Sequence, residues 1–150
     1  MPLQIQALFK TVQQTAPVAL PQTTTANILV VSGDVYVFAL TGVVTVTIGA
    51  VANATKLQAV ATGLTAVDLC ATLDINGLLA GNTFAPITSF ATGLPSLVNG
   101  VGIGVTPTSF FMGAGGVIRV NCAGSDGGTG RIRWSCAYLP MSSGASIVSA

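Results

Sequence analysis

Two stretches decide the fold: Val117-Ile118-Arg119-Val120-Asn121-Cys122 and Arg131-Ile132-Arg133-Trp134-Ser135-Cys136-Ala137-Tyr138-Leu139, joined through Gly124-Ser125-Asp126-Gly127-Gly128-Thr129-Gly130. Ile118, Val120, Cys122, Ile132, Trp134, Cys136 and Tyr138 take even positions. Arg119, Asn121, Arg131, Arg133 and Ser135 take odd ones. A period of two is the signature of a strand with one buried face. The glycine-rich link reads as the tip of a β-hairpin. With the turn centred near Gly127, Ile118 faces Cys136, Val120 faces Trp134 and Cys122 faces Ile132, so one face of the hairpin is apolar and the other polar. In that register Cys122 and Cys136 are not opposite one another, which disfavours a disulfide between them.

Strand signals continue back to Asn27, where Val, Ile and Thr dominate and Gly or Asn recurs at short intervals. Ile28 to Ser32 and Asp34 to Leu40 read as strands, Thr41-Gly42 as a tight turn, and Val43 to Ile48 as a strand with Val44, Val46 and Ile48 on one face. Lys56 to Ala61 is closed by Thr62-Gly63. From Ala66 to Ile75, Val67, Leu69, Ala71, Leu73 and Ile75 alternate with Asp68, Cys70, Thr72 and Asp74, and Asn76-Gly77 ends the run. Thr83 to Phe90 reads as an edge strand because of Pro86, and Leu94 to Gly104 as a loop or bulged edge strand. About seven or eight short strands with frequent turns predict an all-β fold, an antiparallel β-sandwich or small β-barrel. It occupies residues 26–150 as a single β domain.

Residues 1–25 read as an N-terminal arm. Ile5, Leu8, Phe9 and Val12 are spaced as one face of a short helix over Gln4 to Gln14. Pro17 and Pro21 then favour an extended link. Such a stripe either packs on the protein's own core or docks in a partner's groove.

The composition narrows the function. Hydrophobic residues make up 51% of the 150 and charged residues 6%, against about 25% charged in an ordinary globular domain. A lone soluble protein normally covers itself with mixed charge, so copies of the chain or partners are expected to cover much of this surface. A net charge of +1 gives no basic stripe for nucleic acid and no case for an anionic membrane. Mean hydropathy is +0.77, yet Thr, Ser, Gly, Asp or Asn cuts every apolar run short of a spanning helix. Aromatic residues, at 6%, are too few for the girdles of an outer-membrane barrel.

Catalytic chemistry finds no obvious residues. There is no His to activate a Ser or Cys nucleophile or to complete a zinc site, and Cys70, Cys122 and Cys136 have no C-x-x-C spacing. Their odd number and a start lacking a signal-peptide pattern predict free thiols. Asp68 and Asp74 fall six residues apart on the expected strand, roughly 20 Å at the strand rise, too far to work as a pair. Gly100-Val101-Gly102-Ile103-Gly104 and Gly113-Ala114-Gly115-Gly116 match no phosphate-loop pattern. No enzyme, cofactor or metal is expected. Arg119, Arg131 and Arg133 form the one charge cluster, either a solvated hairpin face or a docking patch for an acidic surface.

Gly116-Val117-Ile118-Arg119-Val120-Asn121-Cys122, Thr129-Gly130-Arg131-Ile132-Arg133-Trp134-Ser135-Cys136-Ala137-Tyr138-Leu139-Pro140 with Gly144-Ala145 after it, and Val67-Asp68-Leu69-Cys70-Ala71-Thr72-Leu73-Asp74-Ile75-Asn76 together resemble a family of small tailed-bacteriophage virion proteins, the capsid decoration or cement proteins. The resemblance spans roughly residues 33–147. It implies a structural protein that binds the major capsid protein on the outer capsid surface as a symmetric homo-oligomer, a trimer by this analogy, after assembly in a bacterial cytoplasm. A tail, spike or head-fibre component is the structural alternative. A carbohydrate-binding β-sandwich is the alternative from another class, weakened because Trp134 and Tyr138 fall on the apolar face.

Overall fold

The even-numbered side chains of the two decisive stretches enter one interior, but from two different sheets. A computed structural model describes residues 8–85, 96–97 and 109–150. Its strands are β1 (Lys10–Gln13), β2 (Val18–Ala19), β3 (Thr25–Ser32), β4 (Val35–Val46), β5 (Ala54–Val60), β6 (Val67–Asp68), β7 (Leu73–Asp74), β8 (Thr83–Phe84), β9 (Ser96–Leu97), β10 (Phe110–Met112), β11 (Val117–Cys122), β12 (Arg131–Pro140) and β13 (Ser146–Ser149). No helix occurs among the described residues. Sheet A runs β1-β12-β4-β8-β9, with β10 added on β4 and β2 on β12. Sheet B runs β13-β3-β11-β5-β6, with β7 added on β5. The strands pair antiparallel throughout, and the two sheets pack as a β-sandwich.

The expected hairpin is therefore corrected. β11 lies between β3 and β5, and β12 lies between β1 and β4. Ile118 pairs with Leu29 and Ala59, not with Cys136, and Trp134 pairs with Gly42, not with Val120. The alternation survives because both strands present their even residues inward. The link between them crosses from sheet to sheet, and Asp126 folds it into a corner. Its buried carboxylate accepts hydrogen bonds from the backbone of Gly128 at 2.9 Å and Gly130 at 2.5 Å, and from Gln22 Nε2 at 2.7 Å.

Thr41-Gly42 is not a turn. β4 runs through it for 12 residues. Gly42 is there because the indole lies on it: a Cβ at that position would stand 2.6 Å from a Trp134 ring carbon. Val44 and Ile48 are buried as expected, but Val46 is exposed, beyond the register shift at Arg131/Ile132. The run from Ala66 to Ile75 is also not one strand. β6 and β7 touch β5 separately. Between them Leu69 and Cys70 are both buried, while Val67 is exposed. Leu69 donates to the Leu57 carbonyl at 2.8 Å, and the Leu57 N–H donates back to Cys70 Sγ at 3.3 Å.

Lys10–Gln13 is strand where a helix was expected, and the first part of that expected helix lies outside the described residues. β1 pairs with β12 from Lys10↔Tyr138 to Gln13↔Ser135, and β2 pairs with Arg131 and Ile132. Two short stretches of residues 1–25, Lys10–Gln13 and Val18–Ala19, are thus woven into sheet A, and Thr25 already begins β3 of sheet B. The long β12 offers backbone partners along its whole edge, which a short exposed helix would forgo. Gln14 locks the junction. Its Nε2 donates to the Ile28 carbonyl in sheet B at 2.9 Å, and its Oε1 accepts from the Trp134 N–H in sheet A at 3.1 Å. The expected strand from Thr83 to Phe90 is seen as β8, and its remainder from Pro86 lies outside the described residues. So does most of Leu94 to Gly104, of which β9 alone is placed.

Candidate interaction surfaces

The inner faces form one core in which Trp134, Phe84, Leu40, Ile118, Ile28 and Leu57 are almost fully enclosed. Phe84 stacks near Trp134 with centroids 6.4 Å apart. Cys70, Cys122 and Cys136 are free and buried. Burial pushes each thiol up, Cys136 to about 12, so none is poised as a nucleophile. Among the described residues no three Cys or Asp side chains converge as metal ligands would.

The sandwich divides the three arginines. Arg119 stands on the outer side of sheet B, while Arg131 and Arg133 stand on the outer side of sheet A, because the odd residues of β11 and β12 point away from a shared core. They do not form one cluster. Arg119 Nε donates to Gln58 Oε1 at 2.9 Å, Gln58 Nε2 donates to Asp68 Oδ1 at 2.7 Å, and Lys56 Nζ donates to Asp68 Oδ2 at 2.6 Å. Hydrogen bonds from Lys56 and then Gln58 hold the Asp68 carboxyl below its ordinary range. Arg131 turns back on the Gly128 and Gly130 carbonyls, and Arg133 buries its Nε without a partner among the described residues.

Of the arm residues, Ile5 lies outside the described residues. Val12 packs against the core, whereas Leu8 and Phe9 are more than half exposed. Phe9 meets Phe38 edge to face at 5.2 Å. Phe38 is available for this because the register shift between Ala137 and Tyr138 leaves it without a partner on β12. Nearby on β4, Tyr36 packs on Phe111 at 4.6 Å, and Phe111 is 72% exposed. The alternation pattern missed this aromatic group, because only the paired registers place Phe111 beside Tyr36.

Sheet B carries a second apolar feature. Val148 pairs with Val30, Val30 with Val117, and Val117 with Val60. The four valines make one outward row across four adjacent strands, with Val30 and Val148 well exposed. An apolar groove of about 270 Å³ runs at the seam of the sheets between Leu64, Val67, Phe110 and Phe111. Together these define an antiparallel β-sandwich with apolar features on both outer faces.

Comparison adds little to that class. No protein-family model matches the chain, and no curated protein matches it. Among solved structures, one of infectious bursal disease virus, Gx strain, aligns with 93% of this chain at 17% identity and a TM-score of 0.23. The alignment spans 36% of that chain's own length, and a TM-score at this level carries no argument.

Proposed function

We propose that this chain is a structural protein of a tailed-bacteriophage virion, a decoration or cement protein that binds the major capsid protein on the outer capsid surface and stabilises the shell. One observation carries the reading: apolar side chains stand on both outer faces of the sandwich, with Phe9, Phe38, Tyr36 and Phe111 on one and the row Val148, Val30, Val117 and Val60 on the other. The whole chain has only nine charged residues, five basic and four acidic, and one of them, Asp126, is internal. Contact with other protein gains about 25 cal/mol for each Å² of apolar area removed from water, before the costs of association. Repetition over many symmetric sites multiplies modest contacts by avidity. Association with copies of itself belongs to the same reading. The resemblance supplies the virion, and the surface supplies a means of binding there.

A tail, spike or head-fibre component would use the same surface at lower copy number. Carbohydrate binding draws no support from Trp134 or Tyr138, since both are inside the core. Gel densitometry of purified particles separates the first two. Copies in the hundreds fit decoration, copies in the tens or fewer fit a tail or fibre part, and absence from the particle refutes both.

A further inference from the structure

We infer that two copies of this chain pair antiparallel along β13, joining their B sheets into one continuous sheet. Among the described residues β13 ends sheet B and pairs on one side only, with β3. Its residues are Ser146, Ile147, Val148 and Ser149, with no charge and no proline, and its pairing with β3 has no register shift. Edge strands that stay unpaired are ordinarily guarded by charge, proline or a bulge. Two other edges carry such guards. The far side of sheet B ends in β6 and β7, which carry Asp68 and Asp74, and the edge of sheet A at β1 carries Lys10. β13 has none of them.

An edge of this kind fits an extended, uncharged segment of apolar and small polar residues. β13 is itself such a segment. Side-chain parity selects the register, because residues opposite one another across a sheet share a face. Placing Val148 opposite Val148 of the second copy satisfies parity and sets each Ile147 opposite a Ser149. The outward row Val60, Val117, Val30 and Val148 then continues into the same row of the second copy. β-Branched side chains directly opposite one another are among the favourable cross-strand pairs. The resulting contact is two-fold, whereas the resemblance implies a trimer. It stands or falls without the virion reading, since it concerns the isolated chain.

Sedimentation velocity on the purified protein from about 5 to 100 µM, the range in which a modest edge contact is read as an association constant, tests it. The wild type should sediment as a dimer at the upper concentrations. Val148→Lys should shift it to a monomer with unchanged Trp134 fluorescence, and Val43→Lys, outward on sheet A, should leave it dimeric. Val148→Cys should oxidise to a disulfide-linked dimer, because directly opposed residues of antiparallel strands lie about 4.5–5.5 Å apart at Cα. A wild-type monomer throughout, or association that Val148→Lys leaves intact, would overturn the inference. If Val148→Lys fails to fold, Val148→Cys decides: no linked dimer under oxidation counts against the pairing.

Discussion

Single residues set the terms on which the two sheets meet. Trp134 is 1% exposed, lies over Gly42 and has its own N–H bound by Gln14. Trp134→Ala should cost about 3–5 kcal/mol, the range for a large buried aromatic, measured by urea unfolding. A loss under about 1 kcal/mol would mean that the indole is not in the core. The parity of Trp134 was legible in the sequence, and so was its burial. Its contact with Gly42 was not, because a Thr-Gly pair reads equally as a turn until the ring above it is known. Asp126 was also hidden, since an Asp in a Gly-rich run looks like a solvated loop. In the fold, burial raises its pKa, but hydrogen bonds from Gln22, Gly130 and Gly128 outweigh that and leave it lowered from 3.8. A carboxylate whose folded value is depressed contributes stability that is present above its unfolded value and lost as pH falls through the folded one. Asp126→Asn should therefore lower the melting temperature at neutral pH and narrow the gap to wild type below about pH 4, near the unfolded carboxylate value. An equal gap at both pH values would contradict this role.

At the scale of elements, alternation revealed which face of a strand is buried but not which strand lies beside it. β11 and β12 keep their parity whether they pair with each other or face one another across the core, so a hairpin and a sheet-crossing corner have the same sequence signature. The pairing is decided by non-local competition: β3 and β5 occupy both edges of β11, and β4 takes all ten residues of β12. The N-terminal stripe misled for a related reason. Leu8, Phe9 and Val12 fit a helical face, but β12 supplies backbone partners that favour β1, and only Val12 reaches the core. Truncation through Gln14 removes β1 and the partner of the Trp134 N–H, which costs about 1–3 kcal/mol if left buried and unpaired, while the Ile28 carbonyl keeps only the Ala150 N–H. The truncated chain should melt at a clearly lower temperature by circular dichroism. An unchanged melting curve would show β1 to be dispensable. Phe9→Ser, in the exposed aromatic group, and Leu8→Ser, at an exposed position, should leave folding nearly intact and act on contacts with partners.

Over the whole molecule, the all-β class and the inward parity of the C-terminal strands follow from composition and period alone, whereas the choice of a sandwich over a small barrel rests on the pairing of the strands into two sheets. The distribution of surface features does not follow from composition and period either. Arg119 is separated from Arg131 and Arg133 by the full thickness of the sandwich, two stacked sheets about 10 Å apart, so no single basic patch exists for an acidic partner to read. What remains on the outside is apolar area on two faces with few charges, which favours broad contacts repeated many times. The proposed decoration role requires such contacts to hold a capsid shell together. The most direct measurement is the melting temperature of DNA-filled particles with the protein present and with its gene deleted. Particles lacking it should melt or release DNA at a lower temperature, and adding back purified protein should restore the original value. Identical melting with and without the protein would contradict that role.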